Sequence, residues 1–139
     1  MNRRTQVSIL AAYSLLMLWL LFGQRLMGES EGVLQLRPFS TLRRFLWVLV
    51  NSNNPELRRI AWANLAGNVV IFLPLGCLLP WIWAFFRNFW RHMLSMSAIV
   101  LAVELSQYFL RLGTCDVDDL LLNLLGTEIG YLFWKNLKK

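Results

Sequence analysis

Two long stretches without charge constrain this chain more than anything else in it. Residues 5–24 hold 20 positions free of Asp, Glu, Lys and Arg, and residues 60–86 hold 27. Twenty residues at about 1.5 Å each match a hydrocarbon core of roughly 30 Å. Both stretches therefore read as membrane-crossing helices. Residues 92–110 give a third apolar run whose only acidic or basic member, His92 aside, is Glu104. Residues 119–134 give a short fourth, followed by Lys135, Lys138 and Lys139. At 57% hydrophobic and 16% charged, the chain is far from the composition of a soluble domain. The expectation is an all-α integral membrane protein with about four transmembrane helices plus one short interfacial or re-entrant helix. It forms a single membrane domain over residues 1–139.

The net charge of +6 invites a nucleic-acid reading, but the basic residues punctuate apolar runs instead of forming one patch. That is how charges flank membrane spans, and nucleic acid is set aside as a partner. Asn2-Arg3-Arg4 before the first run suggests a retained signal anchor, because no small-x-small cleavage site follows. With both termini inside, seven basic residues lie inside (Arg3, Arg4, Arg87, Arg91, Lys135, Lys138, Lys139). Seven lie outside (Arg25, Arg37, Arg43, Arg44, Arg58, Arg59, Arg111). The start of the chain and the short Arg87–Arg91 turn weigh most, so the expected topology is multi-pass with both termini cytoplasmic. Cys77 and Cys115 make neither a disulfide framework nor a metal-ligand spacing, so no metal ligands are assigned. No cofactor is indicated.

Residues 25–59 form the long polar connection. Ser40-Thr41 is a plausible cap for a short helix ending near Val50, too short to span and suited to the interface. Asn54-Pro55-Glu56 reads as cap, first-turn proline and first-turn acid. Pro74 and Gly76 predict a kink or break near residues 73–75. Gly67 is expected where another backbone comes close.

Residues 104–130 hold five of the eight acidic residues, and a carboxylate in hydrocarbon costs several kcal/mol unless something receives it. Glu104, Gln107 and Arg111 stand at helical spacing on the third run. Asp116, Asp119 and Asn123 repeat it into the fourth, continued by Gly126 and Gly130. A short turn makes these helices antiparallel neighbours, so the polar stripes should meet. Asn64, Asn68 and Phe72 form a further stripe on the second run. The plainer readings stand beside these. Asp118 is expected to be a helix-capping acid, the two glycines helix contacts, and the asparagines interhelical hydrogen bonders. Glu104 has a structural alternative too, a buried pair with Arg111 or another loop arginine. Glu128 falls on the opposite side of its helix, toward Lys135 or another helix, with a structural or oligomer role. His92 is expected at the interface.

These residues carry a resemblance. Glu104-x-x-Gln107 followed by Gly113, Asp116, Asp119, Asn123, Gly126 and Gly130 resembles the carboxy-terminal signature of the VanZ-like membrane proteins. Asn68-Val69-Val70-Ile71-Phe72-Leu73-Pro74-Leu75-Gly76 is similar to that family's Asn-x-x-x-Phe-x-Pro-x-Gly segment. Leu34-x-Leu36-x-Pro38-Phe39 resembles its short loop motif. The resemblance implies a bacterial cytoplasmic (inner) membrane protein of four to five spans. The founding member confers resistance to the glycopeptide teicoplanin without altering the peptidoglycan terminus. Two features depart from the pattern. Many relatives carry an arginine just ahead of the aspartates, where this chain reads Leu112-Gly113-Thr114-Cys115, and Glu128 stands where small or apolar residues are usual.

Three functions are weighed. The first is an envelope protein that lowers glycopeptide susceptibility by binding or modifying a lipid-linked cell-wall component. Carboxylates and amides in a cavity suit sugar hydroxyls or a cation-bridged pyrophosphate. The second is a membrane enzyme, possibly divalent-metal-dependent, acting on a lipid-linked substrate with Glu104, Asp116 and Asp119 as catalytic carboxylates. The third is a non-catalytic scaffold. Asn68, Gln107 and Asn123 are the substrate-binding candidates, with Arg37 and Arg111 as partners for anionic groups. The bilayer, a lipid-linked cell-wall component or glycopeptide, and further copies of the chain are the expected partners.

Overall fold

A computed structural model describes residues 2–23 and 33–138. Gln24, Arg25 and Lys139, which enter the span and charge readings above, lie outside the described residues. Helix α1 (Arg3–Leu18) starts at Asn2, whose side chain accepts from the Thr5 N–H at 2.8 Å, and continues as a π-helical segment over Trp19–Gly23. Strand β1 (Val33–Gln35) leads to α2 (Ser40–Asn51), then α3 (Pro55–Ile82), a 3₁₀ turn (Ala84–Arg87) and α4 (Phe89–Phe109). Strand β2 (Thr114–Asp116) runs straight into α5 (Val117–Leu137). The two strands pair in parallel with Leu34 opposite Cys115 and Gln35 opposite Asp116.

The Asn54-Pro55 start of α3 forms as its residues predict, with the Asn54 carboxamide oxygen accepting from the N–H groups of Glu56 and Leu57. Of the kink or break expected near residues 73–75, the break does not occur: α3 is one helix of 28 residues with Pro74 and Pro80 inside it. Each proline removes one helical hydrogen bond, and packing outweighs that loss here. Leu73 and Gly76 on either side of Pro74 are pressed against α5. A Cβ on Gly130 would lie 2.0 Å from the Leu73 carbonyl oxygen, and one on Gly126 would lie 2.2 Å from that of Val69. One on Gly76 would lie 2.0 Å from that of Thr127. The Val69–Gly126 and Leu73–Gly130 pairings rise together along both helices, so α3 and α5 run parallel, and α4, joined to each by a short turn, runs against them. Gly67 is the correction: a Cβ there would meet nothing within 4 Å among the described residues. The intimate contact lies two to three turns further along, at Gly76.

The core joins Leu10, Met17 and Leu21 of the first helical segment to Phe72, Leu75, Leu78, Leu79 and Ile82 of α3 and to Met96 and Val100 of α4. The Tyr13 hydroxyl donates to the Ile71 carbonyl and ties α1 to α3. Around this core the surface is apolar. Leu15 is 69% exposed, Leu94 69% and Phe109 75%, more than a water-facing shell of this size tolerates. Two helical stretches, Arg3–Gly23 and Pro55–Ile82, are long and apolar enough to cross a membrane. Helices α4 and α5, at 21 residues each, have the length for it. They carry Arg91 and Glu104, and Asp118, Asp119, Glu128 and Lys135, and do not join that pair, so the fold is helical with two stretches apolar enough to cross a membrane.

Candidate functional site

The acidic segment is folded into a knot where four elements meet. The polar stripes of α4 and α5 do face one another. Glu104 Oε1 accepts from the Asn123 side-chain amide at 3.1 Å, and Oε2 accepts from the Asp116 backbone N–H at 3.5 Å. Glu104 is 3% exposed and Asn123 1%. A carboxylate so placed is stabilised only by such donors, so Glu104 and Asn123 specify how the two helices register.

Asp116 caps α5: its Oδ1 accepts from the Asp118 N–H at 2.9 Å, while its Oδ2 accepts from the Thr41 hydroxyl at 2.6 Å. Asp118 is a capping acid, as its position predicts, but the helix it caps is α2 and not its own. Its Oδ1 accepts from the Phe39 N–H at 2.6 Å, and its Oδ2 from Thr41 and Leu42 at 2.9 and 3.0 Å. Those N–H groups are the unpaired donors of the first turn, at the positive end of the helix dipole. Ser40-Thr41 is therefore not the cap expected of it: both residues lie inside α2, and Asp118 takes up the N–H groups of its start. Phe39 at the capping position is left-handed, with φ 62°, and makes no side-chain cap bond. Sequence reasoning missed this role, although the signal was present: a helix start with no acid of its own and an acid in excess elsewhere.

The remaining candidates divide. Gln107, 3% exposed, donates through its side-chain amide to the Leu21 carbonyl at 3.1 Å and so ties α4 to the π-helical segment. Asn68 is half-buried one residue before the Val69–Gly126 contact, with its amide nitrogen unpaired among the described residues; the side-chain oxygen of Asn64 is likewise. Asp119 is half-buried on the first turn of α5. Arg37 is exposed in the loop before α2, where its carbonyl accepts from Ser40. Arg111 does not share the face of Glu104 and Gln107. Helix α4 ends at Phe109, and Arg111 takes the left-handed position of the terminating turn at φ 55°. There the Leu112 N–H reaches the Gln107 carbonyl at 2.8 Å and the Arg111 N–H reaches that of Tyr108 at 3.1 Å. This swings its exposed side chain off the helix stripe. Among the described residues no three His, Cys, Asp or Glu side chains gather in a metal-binding arrangement.

A second polar contact lies between α4 and α5. His92 is fully buried, which overturns its placement at an interface. Its Nδ1 lies 3.4 Å from Glu128 Oε1, and its ring lies 4.7 Å from that of Tyr131. Glu128 thus points to another helix, one of the two directions its spacing allowed. The Tyr131 hydroxyl donates to the Arg87 carbonyl at 2.8 Å.

Both cysteines are free thiols. Burial pushes the Cys115 thiol up, and the carboxylates of Glu104 and Asp116 push it further. Its alkylation by a small maleimide in a Cys77→Ser background is expected to be slower than that of a free cysteine at neutral pH. The rate should climb only above the ordinary thiol range, and Glu104→Gln should speed the reaction. Equal rates with and without Glu104 would place that carboxylate away from the thiol.

The fold and site thus define a helical protein with two helical stretches long and apolar enough to cross a membrane and a carboxylate cluster where α4 ends and α5 begins. The family described as VanZ/LLP1 matches residues 9–138, nearly the whole chain. The chain belongs to the VanZ-like family. No protein of curated function and no solved structure matches it.

Proposed function

We propose that the chain is a multi-pass protein of the bacterial inner membrane that lowers susceptibility to the glycopeptide teicoplanin. In this reading α1, α3, α4 and α5 all span, both termini are cytoplasmic, and the polar site around Glu104 acts on a lipid-linked envelope component. The observation that supports it is the Glu104–Asn123 pair, a carboxylate and an amide buried between two helices. Ionisable groups held at such depth accompany substrate or ion sites. In this reading Gln107, three residues along α4 from Glu104, and Asn68 on α3 supply hydrogen-bonding groups for sugar hydroxyls, with Asp119 on the first turn of α5. Arg37 and Arg111, both exposed, are placed to meet anionic groups approaching from the polar side. A membrane enzyme built on Glu104, Asp116 and Asp119 is the less supported variant, since Asp116 is already engaged by two donors.

The scaffold reading has its own observation. Asp116 and Asp118 are both committed to helix starts. A host expressing wild type, Glu104→Gln, Asp119→Asn or empty vector separates the two, with membrane levels matched by blot. The expected result is higher teicoplanin tolerance with wild type and vector-level tolerance with Glu104→Gln. Tolerance that survives both replacements would make the cluster structural and favour the scaffold.

A further inference from the structure

Helix α2 commits one face to the molecule and leaves the other open. Its start is held by Asp118 and Thr41 is buried, while Phe39 is 57% exposed, Leu46 48%, Trp47 62% and Val50 80%. Together with Leu42, Arg43 and Asn51 these residues line an open groove of about 460 Å³, within the usual size of ligand sites. They recur at three- and four-residue steps, so the groove is a single stripe along the helix. Its charge has one sign. α2 contains Arg43 and Arg44 and no acid. Arg44 lies over the Phe45 ring at 5.0 Å, and neither guanidinium has an acidic partner among the described residues. The neighbouring arginines are spoken for: Arg58 donates to the Leu49 carbonyl at 2.8 Å, and Arg59 pairs with Glu56.

A cation at one end of an apolar stripe calls for an anion with a hydrocarbon tail. We propose that this groove seats an anionic phospholipid, its phosphate at Arg43 with Arg44 beside it and an acyl chain along Leu46, Trp47 and Val50. A guanidinium matches a phosphate with two parallel donors. The stripe offers few polar groups besides Arg43 and Asn51, which suits a chain without hydrogen bonds of its own better than a peptide. The proposal rests on the membrane placement given above and is independent of the Glu104 site.

The test uses the full chain in phosphatidylcholine bilayers doped with brominated phosphatidylglycerol or, at the same level, brominated phosphatidylcholine. Quenching at Trp47 is read as the difference between wild type and Trp47→Phe. Phosphatidylglycerol is expected to be enriched about fivefold at Trp47, the factor one interfacial arginine supplies. Arg43→Gln should abolish the preference, and Arg91→Gln, at the opposite end of α4 beside Phe85, should leave it. Equal quenching by the two lipids, or a preference that survives Arg43→Gln or falls equally with Arg91→Gln, overturns the lipid seat while leaving the membrane placement standing. No quenching by either lipid means that the face is covered by a second copy or another protein. In that case the placement of α2 at the bilayer falls together with the seat.

Discussion

Gly130→Ala is expected to cost about 3 kcal/mol or more, the upper end of overpacking penalties, and Gly130→Leu to prevent accumulation of folded protein. A Cβ at this position would lie 2.0 Å from the Leu73 carbonyl oxygen and 2.9 Å from the Cys77 nitrogen. Both are backbone atoms of a continuous helix, so no side chain can turn aside to make room. Relief requires α3 and α5 to separate, and separation loosens the Val69–Gly126 and Gly76–Thr127 contacts at the same time. Helices in an apolar environment associate largely through such close packing, so the loss is not recovered elsewhere. Gly67→Ala supplies the control. With open space at that position, it should be neutral or stabilise by up to about 1 kcal/mol through helix propensity. Thermal unfolding of the detergent-purified variants decides the matter. Similar losses at positions 67 and 130 would mean that glycine acts through local helix flexibility and not through the crossing.

The second large effect is expected from Asp118→Ala. This carboxylate, 2% exposed, accepts from three backbone N–H groups at the start of α2. Hydrogen bonds to a charged acceptor contribute about 1.5–3 kcal/mol each, and buried donors left unmet add a further penalty. Water can reach part of the first turn once α2 lifts, so the net cost should be about 3 kcal/mol or more, concentrated in the docking of α2. Hydrogen exchange would show it as faster exchange over residues 41–51, with α3 and α5 little changed. Asp118→Asn keeps one acceptor oxygen and should fall between the two. Uniform acceleration in every helix would instead make Asp118 a keystone of the whole bundle. Unchanged exchange in α2 would show that the helix holds its place without the cap.

How much of this was legible depended on whether a residue's partner was near it in the chain. The Asn54 cap of α3 was readable because the cap and the N–H groups it satisfies are two and three residues apart. The meeting of Glu104 with Asn123 was readable for a similar reason, since a short turn forces their helices together. Asp118 was read as a cap yet assigned to the wrong helix, because its partners lie 76 to 79 positions away. The parallel pairing of Leu34 with Cys115 was likewise invisible, three-residue strands having no periodicity to detect. His92 beside a basic turn gave no hint that it would be fully buried against Glu128 and Tyr131.

The sequence alone determined the class of this protein. Apolar run length and the order of three motifs pointed to long helices and to the VanZ-like family, and those properties are local and additive along a chain. Only the tertiary structure decided which helices touch. That choice turns on where a backbone can approach within van der Waals distance, at Gly76, Gly126 and Gly130 and not at Gly67. It turns equally on which buried carboxylate finds which unpaired N–H. Both are properties of two segments at once, and neither segment carries them by itself.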